Sequence, residues 1–225
     1  MTLLEELNKL DKQYSRQEQE ILARLILAYG EGFYRIKNDI ALLEEFITST
    51  LESGRTAKAS IRQSITYRTL MVSIKGELDD FEGYLKNEIR TAATAAGKLG
   101  ISAGNRLMIA ALADELGIPI ENVPRELISR APQGTLDFLQ IYIERLTPRI
   151  DLLSDYHTDR IGNIILDAVA YGWNPKKIAK AISTGYGVAL TDSLRMMRTV
   201  QLSGYRQAQN ASQIATADIL DGVVW

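Results

Sequence analysis

Residues 21–51 read ILARLILAYGEGFYRIKNDIALLEEFITSTL, and their apolar side chains recur every three or four positions. This is the period of an amphipathic α-helix with one buried face. We therefore predict one long helix over residues 16–53, with a bend or a close helix crossing at Gly30 and Gly32, because glycine lets two backbones approach. The residues predicted to form its buried face are Leu22, Leu25, Tyr29, Phe33, Ile36, Ile40, Leu43, Ile47 and Leu51.

Helical periodicity extends on both sides of this stretch. A short first helix is predicted up to about Tyr14, and a second long helix is predicted from Ile61 onwards. We expect Gly97 and Gly100 to end that helix, because glycine commonly follows the last helical turn. A shorter helix over residues 101–116 completes the first half.

Prolines mark the predicted domain boundary. Pro119, Pro124 and Pro132 punctuate the connector, and proline cannot continue a helix. The chain is accordingly divided into an N-terminal long-helix hairpin region, residues 1–132, and a C-terminal helical region, residues 133–225.

The C-terminal region begins with a heptad-like seam. Apolar residues from 136 to 153 alternate spacings of three and four, as in helices that form coiled coils, with Pro148 kinking the helix. His157 continues the same seam four residues later. We expect this histidine to pack or hydrogen-bond there instead of taking part in chemistry.

Two further helices and one strand are predicted at the end of the chain. The helices cover residues 175–183 and 191–214, with a turn at 184–187, while the β-branched and aromatic residues of 219–225 favour a strand. An unpaired strand edge predicts self-association through that strand. The predicted fold class is thus all-α, an elongated bundle of long amphipathic helices with a short C-terminal β-strand.

Composition removes most catalytic chemistry. The 225 residues include no cysteine and one histidine, and the net charge is -2. Thiolate metal sites and cysteine nucleophiles are excluded, and a Ser–His–Asp triad could use only His157. We expect no enzyme activity, no catalytic residues, no metal and no cofactor. The alternative of an enzyme such as a toxin or lysis factor would depend on His157 or on a carboxylate pair.

The sequence shows no signal peptide and no apolar run long enough to span a membrane, so we expect a cytoplasmic protein without a membrane partner. Residues 171–225 nevertheless carry a net charge of +3. Lys176, Lys177 and Arg195 are candidate contacts to nucleic-acid phosphates. They support an alternative function, a helical DNA-binding protein that uses helices 175–183 and 191–214 in the manner of a helix-turn-helix.

Four short segments of the last 55 residues occur in an order that resembles the phage head morphogenesis family of Mu F-like minor head proteins. They are GWNPKKIA at 172–179, LRMMRT at 194–199, YRQAQNA at 205–211 and DGVVW at 221–225. The sequence departs from the family in having Val200 after Arg-Thr, where a glutamate is common.

The resemblance implies a function in virion assembly. It implies a protein that binds portal or inner capsid proteins, is assembled in the host cytoplasm, resides in the virion and has packaged DNA as a further contact. The partner-binding residues that it points to are Arg198, Thr199 and Trp225. Family members often continue past this tryptophan, so the resemblance implies either a truncated chain or a short version of such a protein.

Overall fold

The computed structural model describes residues 3–52, 58–123 and 133–214, and nearly all of them are helical. The elements are α1 (Leu3–Glu52), α2 (Lys58–Gln63), α3 (Ile65–Leu116), a 3-10 turn (Ile120–Asn122), α4 (Gln133–Ile150), α5 (Leu153–Ala170) and α6 (Pro175–Ile214). No described helix contains an apolar stretch that could cross a membrane.

The all-α prediction is confirmed, but the short C-terminal β-strand that accompanied it is wrong, because the described ranges contain helices and no strand. A single strand needs a neighbouring strand to satisfy its backbone groups, and the described elements offer none. Residues 219–225, where the strand was placed, lie outside the described residues. The self-association expected through them stays a prediction.

Helix α1 is longer than predicted, because the short first helix and the long second helix form one continuous helix, Leu3–Glu52. The predicted close approach is found at Gly32, where an added Cβ would lie 3.0 Å from the hydroxyl of Tyr186. Phe33 is half-buried. The predicted face is buried at Leu22, Leu25, Tyr29, Ile36, Ile40, Leu43 and Ile47.

Helix α3 runs through the glycines that were expected to end it. An added Cβ at Gly100 would lie 2.3 Å from the carbonyl oxygen of Tyr205 in α6, so this glycine allows two helices to touch. The true end is Leu116. Gly117 follows with a positive φ of 63°, and the N–H of Ile118 bonds back to Ala113, as in a glycine C-cap.

Helix α6 is continuous, so the turn predicted at residues 184–187 is wrong, and with it the helix-turn-helix arrangement. Gly185 packs against Ile161 of α5, where an added Cβ would lie 3.2 Å from that side chain. Tyr186 is fully buried. The glycine and the tyrosine therefore serve helix packing, and tertiary contacts override their preference for a turn.

Contacts along the chain divide it into two compact units. The first, named here the Gly100 unit, comprises Met1–Leu22, Asn87–Leu146 and Met196–Trp225, and the second, the His157 unit, comprises Ala23–Lys86 and Thr147–Arg195. Helices α1, α3 and α6 each contribute to both units. The division predicted at residue 132 stays a prediction.

The core of the His157 unit is built from large side chains on α1, α3, α5 and α6. The rings of Tyr29 and Phe81 meet edge to face with centroids 4.9 Å apart, and Tyr29 also contacts Tyr186. The aliphatic residues buried around them include Leu25, Leu43, Leu70, Leu78, Leu85, Ile161, Ile165 and Ile182.

Small side chains let α3 and α6 approach closely in the Gly100 unit, whose buried residues also include large ones such as Leu10, Ile89 and Val200. Gly100 and Gly104 face α6, and the Ser212 hydroxyl donates a hydrogen bond to Asn105 Oδ1 at 2.6 Å. Leu10 of α1 packs with Ala103 of α3. Other small residues buried in this unit are Ala92, Ala93, Ala96 and Ala208.

Candidate functional site

The structure does not bring the predicted phosphate-binding residues together. Lys176 and Lys177 lie in the first turn of α6, whereas Arg195 lies 18 residues further along the same helix than Lys177. At a rise of 1.5 Å per residue this separates them by roughly 27 Å. Arg195 also lies near Asp192, with a distance of 3.9 Å between Nη1 and Oδ1.

The predicted partner-binding residues lie in the other unit or outside the described ranges. Arg198 forms an ion pair with Glu18 of α1, with Nε 3.1 Å from Oε1. Thr199 faces solvent. Trp225 lies outside the described residues. Arg198 therefore helps to hold α1 and α6 together.

The connection between α5 and α6 is tightly organised. Gly172 has a φ of 65°, and the N–H groups of Trp173 and Gly172 bond to Ala168 and Val169, which is the Schellman pattern. The Asn174 carbonyl oxygen accepts from Lys177 at 2.8 Å, and its side chain accepts the N–H of Lys176 at 2.9 Å. Asn174 is therefore the N-cap of α6.

Basic and aromatic side chains surround this connection. We name this group of side chains the basic turn; its members are Tyr171, Trp173, Lys176, Lys177 and Lys180. Lys177 Nζ lies 3.9 Å from the centroid of the Trp173 ring, a cation–π contact. The ring of Tyr171 is 78% exposed. The sequence pointed to Lys176 and Lys177 as phosphate contacts, while the nearby Lys180 was not counted among those contacts and Tyr171 was given no role. The absence of acids from residue 168 to 191 could have identified the whole group.

A second exposed feature is apolar. Leu42 of α1 and Ile65 of α3 line one shallow depression, and Ile65 and Val72 line the next. Their exposed fractions are 55%, 76% and 73%. We name Leu42, Ile65, Thr69 and Val72 the α1–α3 face. Ile65, Thr69 and Val72 follow the spacing of one helix face, but sequence analysis missed it because the buried face of α3 is also apolar.

The one histidine of the chain is buried, which confirms its predicted place in the core. His157 is 2% exposed, and its Nε2 lies 3.5 Å from Asp192 Oδ2. Burial lowers the pKa of His157, Asp192 raises it, and Arg160 lowers it, with a net decrease from its ordinary value. The imidazole is therefore neutral at pH 7.

The surroundings of His157 do not form a nucleophile–base pair. Its Nδ1 has no hydrogen-bond partner, and the buried hydroxyl of Thr158 has none either, among the residues that the structure describes. A Ser–His–Asp mechanism requires a hydroxyl bonded to the imidazole. The described ranges also contain no cluster of three potential metal ligands.

A charged network ties α3 to the start of α5. Lys75 Nζ lies 2.6 Å from Asp155 and 3.2 Å from Asp79, and Lys86 binds Asp151 and Glu82. Hydrogen bonds to Asp155 and Asp79 raise the pKa of Lys75. These lysines are saturated by carboxylates, which distinguishes them from the lysines of the basic turn.

Comparisons with known proteins add no further assignment. No protein-family model, curated protein or solved structure matches the chain.

Proposed function

We propose that this chain is a minor head protein of a bacteriophage or prophage, which binds portal or inner capsid proteins during virion assembly in the host cytoplasm. The resemblance of residues 172–179, 194–199, 205–211 and 221–225 to Mu F-like proteins supplies the biological setting. The α1–α3 face is the observation that carries a binding function, because it exposes three large apolar side chains close together to a partner.

The energetic reason is the cost of leaving these side chains in water. Burying a valine, leucine or isoleucine side chain stabilises a complex by about 1.5–3 kcal/mol. More than half of the surface of each of three residues, Leu42, Ile65 and Val72, is exposed to solvent. A partner that covers all three gains several kilocalories per mole, which is a large part of the affinity of a micromolar complex.

The geometry of the face fits a helical partner. Arg35 of α1 binds Glu77 of α3 through two hydrogen bonds, at 2.7 and 2.6 Å, while Leu42 lies beside Ile65 near the beginning of α3. The two helices therefore run antiparallel in this unit. A groove between antiparallel helices accepts the apolar side of an amphipathic helix.

Binding to the portal and major capsid proteins of the same phage or prophage tests the proposal. We expect Val72→Asp to weaken capture of one of them at least tenfold, because it places a charge in the apolar contact. Ile214→Asp is the matched control, since Ile214 is 75% exposed but belongs to the Gly100 unit. Circular dichroism checks that both variants keep their helix content.

The proposal fails if neither virion protein binds the wild-type chain, or if Ile214→Asp weakens binding as much as Val72→Asp. Ile65→Asp provides a second variant on the face. Ile65 is the first residue of α3, where an acidic side chain is favourable to the helix. A loss of binding in Ile65→Asp therefore reports the contact and not a failure to fold.

A further inference from the structure

The three lysines of the basic turn have no carboxylate partner among the residues that the structure describes. Lys176, Lys177 and Lys180 are exposed, and none forms an ion pair with a residue in the described ranges. No Asp or Glu occurs between residues 168 and 191. Lys75 and Lys86, by contrast, each contact two carboxylates. The basic turn is thus a local positive patch on a chain with a negative net charge.

The lysines are arranged to hold an anion with side chains. Lys176 and Lys180 lie one helical turn apart on the same face, where Cβ atoms are about 5–6 Å apart. The first backbone N–H groups of α6 are already taken, because Asn174 accepts from Lys176, Lys177 and Ile178. The positive side chains, and not the end of the helix, therefore form the binding group.

The aromatic residues favour nucleic acid over other polyanions. Trp173 is half-buried beneath Lys177, whereas the Tyr171 ring is exposed. Exposed aromatic rings stack on unpaired bases, and neighbouring lysines bind the phosphates that join those bases. A membrane surface would require aliphatic side chains to insert, but both isoleucines beside the lysines, Ile178 and Ile182, are buried.

We propose that the basic turn binds single-stranded nucleic acid, with its three lysines on phosphates and Tyr171 stacked on a base. This inference is independent of the α1–α3 face, which lies on other helices. It excludes Arg195 from the same site, because that residue is roughly 27 Å away along α6.

Fluorescence anisotropy with a labelled 20-nucleotide DNA strand tests the proposal. Three phosphate contacts predict a salt slope of about −2 on a single strand, so affinity falls roughly 20-fold between 50 and 200 mM salt. We expect the triple variant K176Q/K177Q/K180Q to abolish this salt dependence. The control K12Q/K37Q/K98Q removes the same charge from three exposed lysines elsewhere and leaves the slope unchanged.

The aromatic contact has a test of its own. Tyr171→Ala weakens single-strand binding by about fivefold or more, which is the smallest effect of losing one stacked base. Tyr171→Phe restores binding because the ring is kept, and binding of a 20-base-pair duplex is unaffected by either variant, because its bases are already stacked.

Three results overturn the proposal. They are an equal loss in both lysine triples, a Tyr171→Ala variant that binds the single strand like wild type, and binding to vesicles containing 30% phosphatidylserine that DNA does not compete away. The last result identifies an anionic membrane as the ligand. Because none of these measurements involves a virion protein, they separate this proposal from the proposed assembly function.

Discussion

The two units use the same three long helices in different ways. In the His157 unit, α1 and α6 meet through the large rings of Tyr29 and Tyr186. In the Gly100 unit, α3 and α6 touch at Gly100 and Gly104, where only small residues leave room for the facing helix. Large side chains fill the space between helices whose axes are far apart, whereas small side chains allow the helices to pack more closely. The difference teaches that helical periodicity alone does not reveal how closely two helices pack.

The largest expected effect tests the core of large residues. Leu78→Ala removes a fully buried side chain in the His157 unit, and we expect the free energy of unfolding to fall by about 3 kcal/mol. Urea denaturation measures the loss. Leu116→Ala is the control, because Leu116 is 59% exposed and should change stability by less than about 0.5 kcal/mol. Equal effects of the two variants would show that the His157 unit is loosely packed.

The next largest effect tests the close contact between α3 and α6 in the Gly100 unit. Gly100→Ala places a methyl group against the backbone of Tyr205, and we expect a loss of about 2 kcal/mol in unfolding free energy. The same substitution at Gly83, where an added Cβ meets nothing within 4 Å, should instead stabilise the helix by about 0.5–1 kcal/mol. Thermal unfolding distinguishes the two signs. A stabilising Gly100→Ala would refute the close crossing.

The smallest effect concerns pH and the His157 unit. The pKa of His157 is lowered by burial, so the unfolded chain takes up a proton near pH 6.5 before the folded chain does. The contribution of His157 to stability is therefore complete above that pH and decreases as the pH falls below it, by at most about 1.4 kcal/mol per pH unit. Urea midpoints measured from pH 7 to pH 5 check this decrease.

The chain has one histidine, so His157→Gln should flatten this part of the profile. Hydrogen exchange sharpens the comparison between the units, because protection should decrease in the His157 unit before it does in the Gly100 unit. A protein that becomes more stable on acidification would show that the attraction of Asp192 for the imidazolium outweighs burial.

Much of the helical architecture follows from the sequence. The spacing of three and four from Leu22 to Ile47 predicts the buried face of α1, and Asn174 followed by Pro175 predicts the start of α6. These features depend on neighbouring residues in one chain segment. Gly97, Gly100 and Gly185 do not break their helices. Gly100 and Gly185 each touch a facing helix, which the local sequence does not reveal.

The candidate surfaces were less predictable for the same reason. Lys176 and Lys177 are exposed, as phosphate contacts must be. They lie far from Arg195 because α6 is one continuous helix, whereas the sequence predicted two helices joined by a turn. The α1–α3 face combines residues from two helices. Which residues belong to this face depends on which side of α3 is buried. Because both sides of α3 carry apolar residues, the sequence does not show which side that is.

The ion pair between Arg198 and Glu18 has a consequence for any partner that uses this arginine. Glu18 occupies the Nε side of the guanidinium and leaves its other N–H donors to an incoming acidic group. That group meets a cation whose charge Glu18 already balances in part, so it gains less than it would from an unpaired arginine.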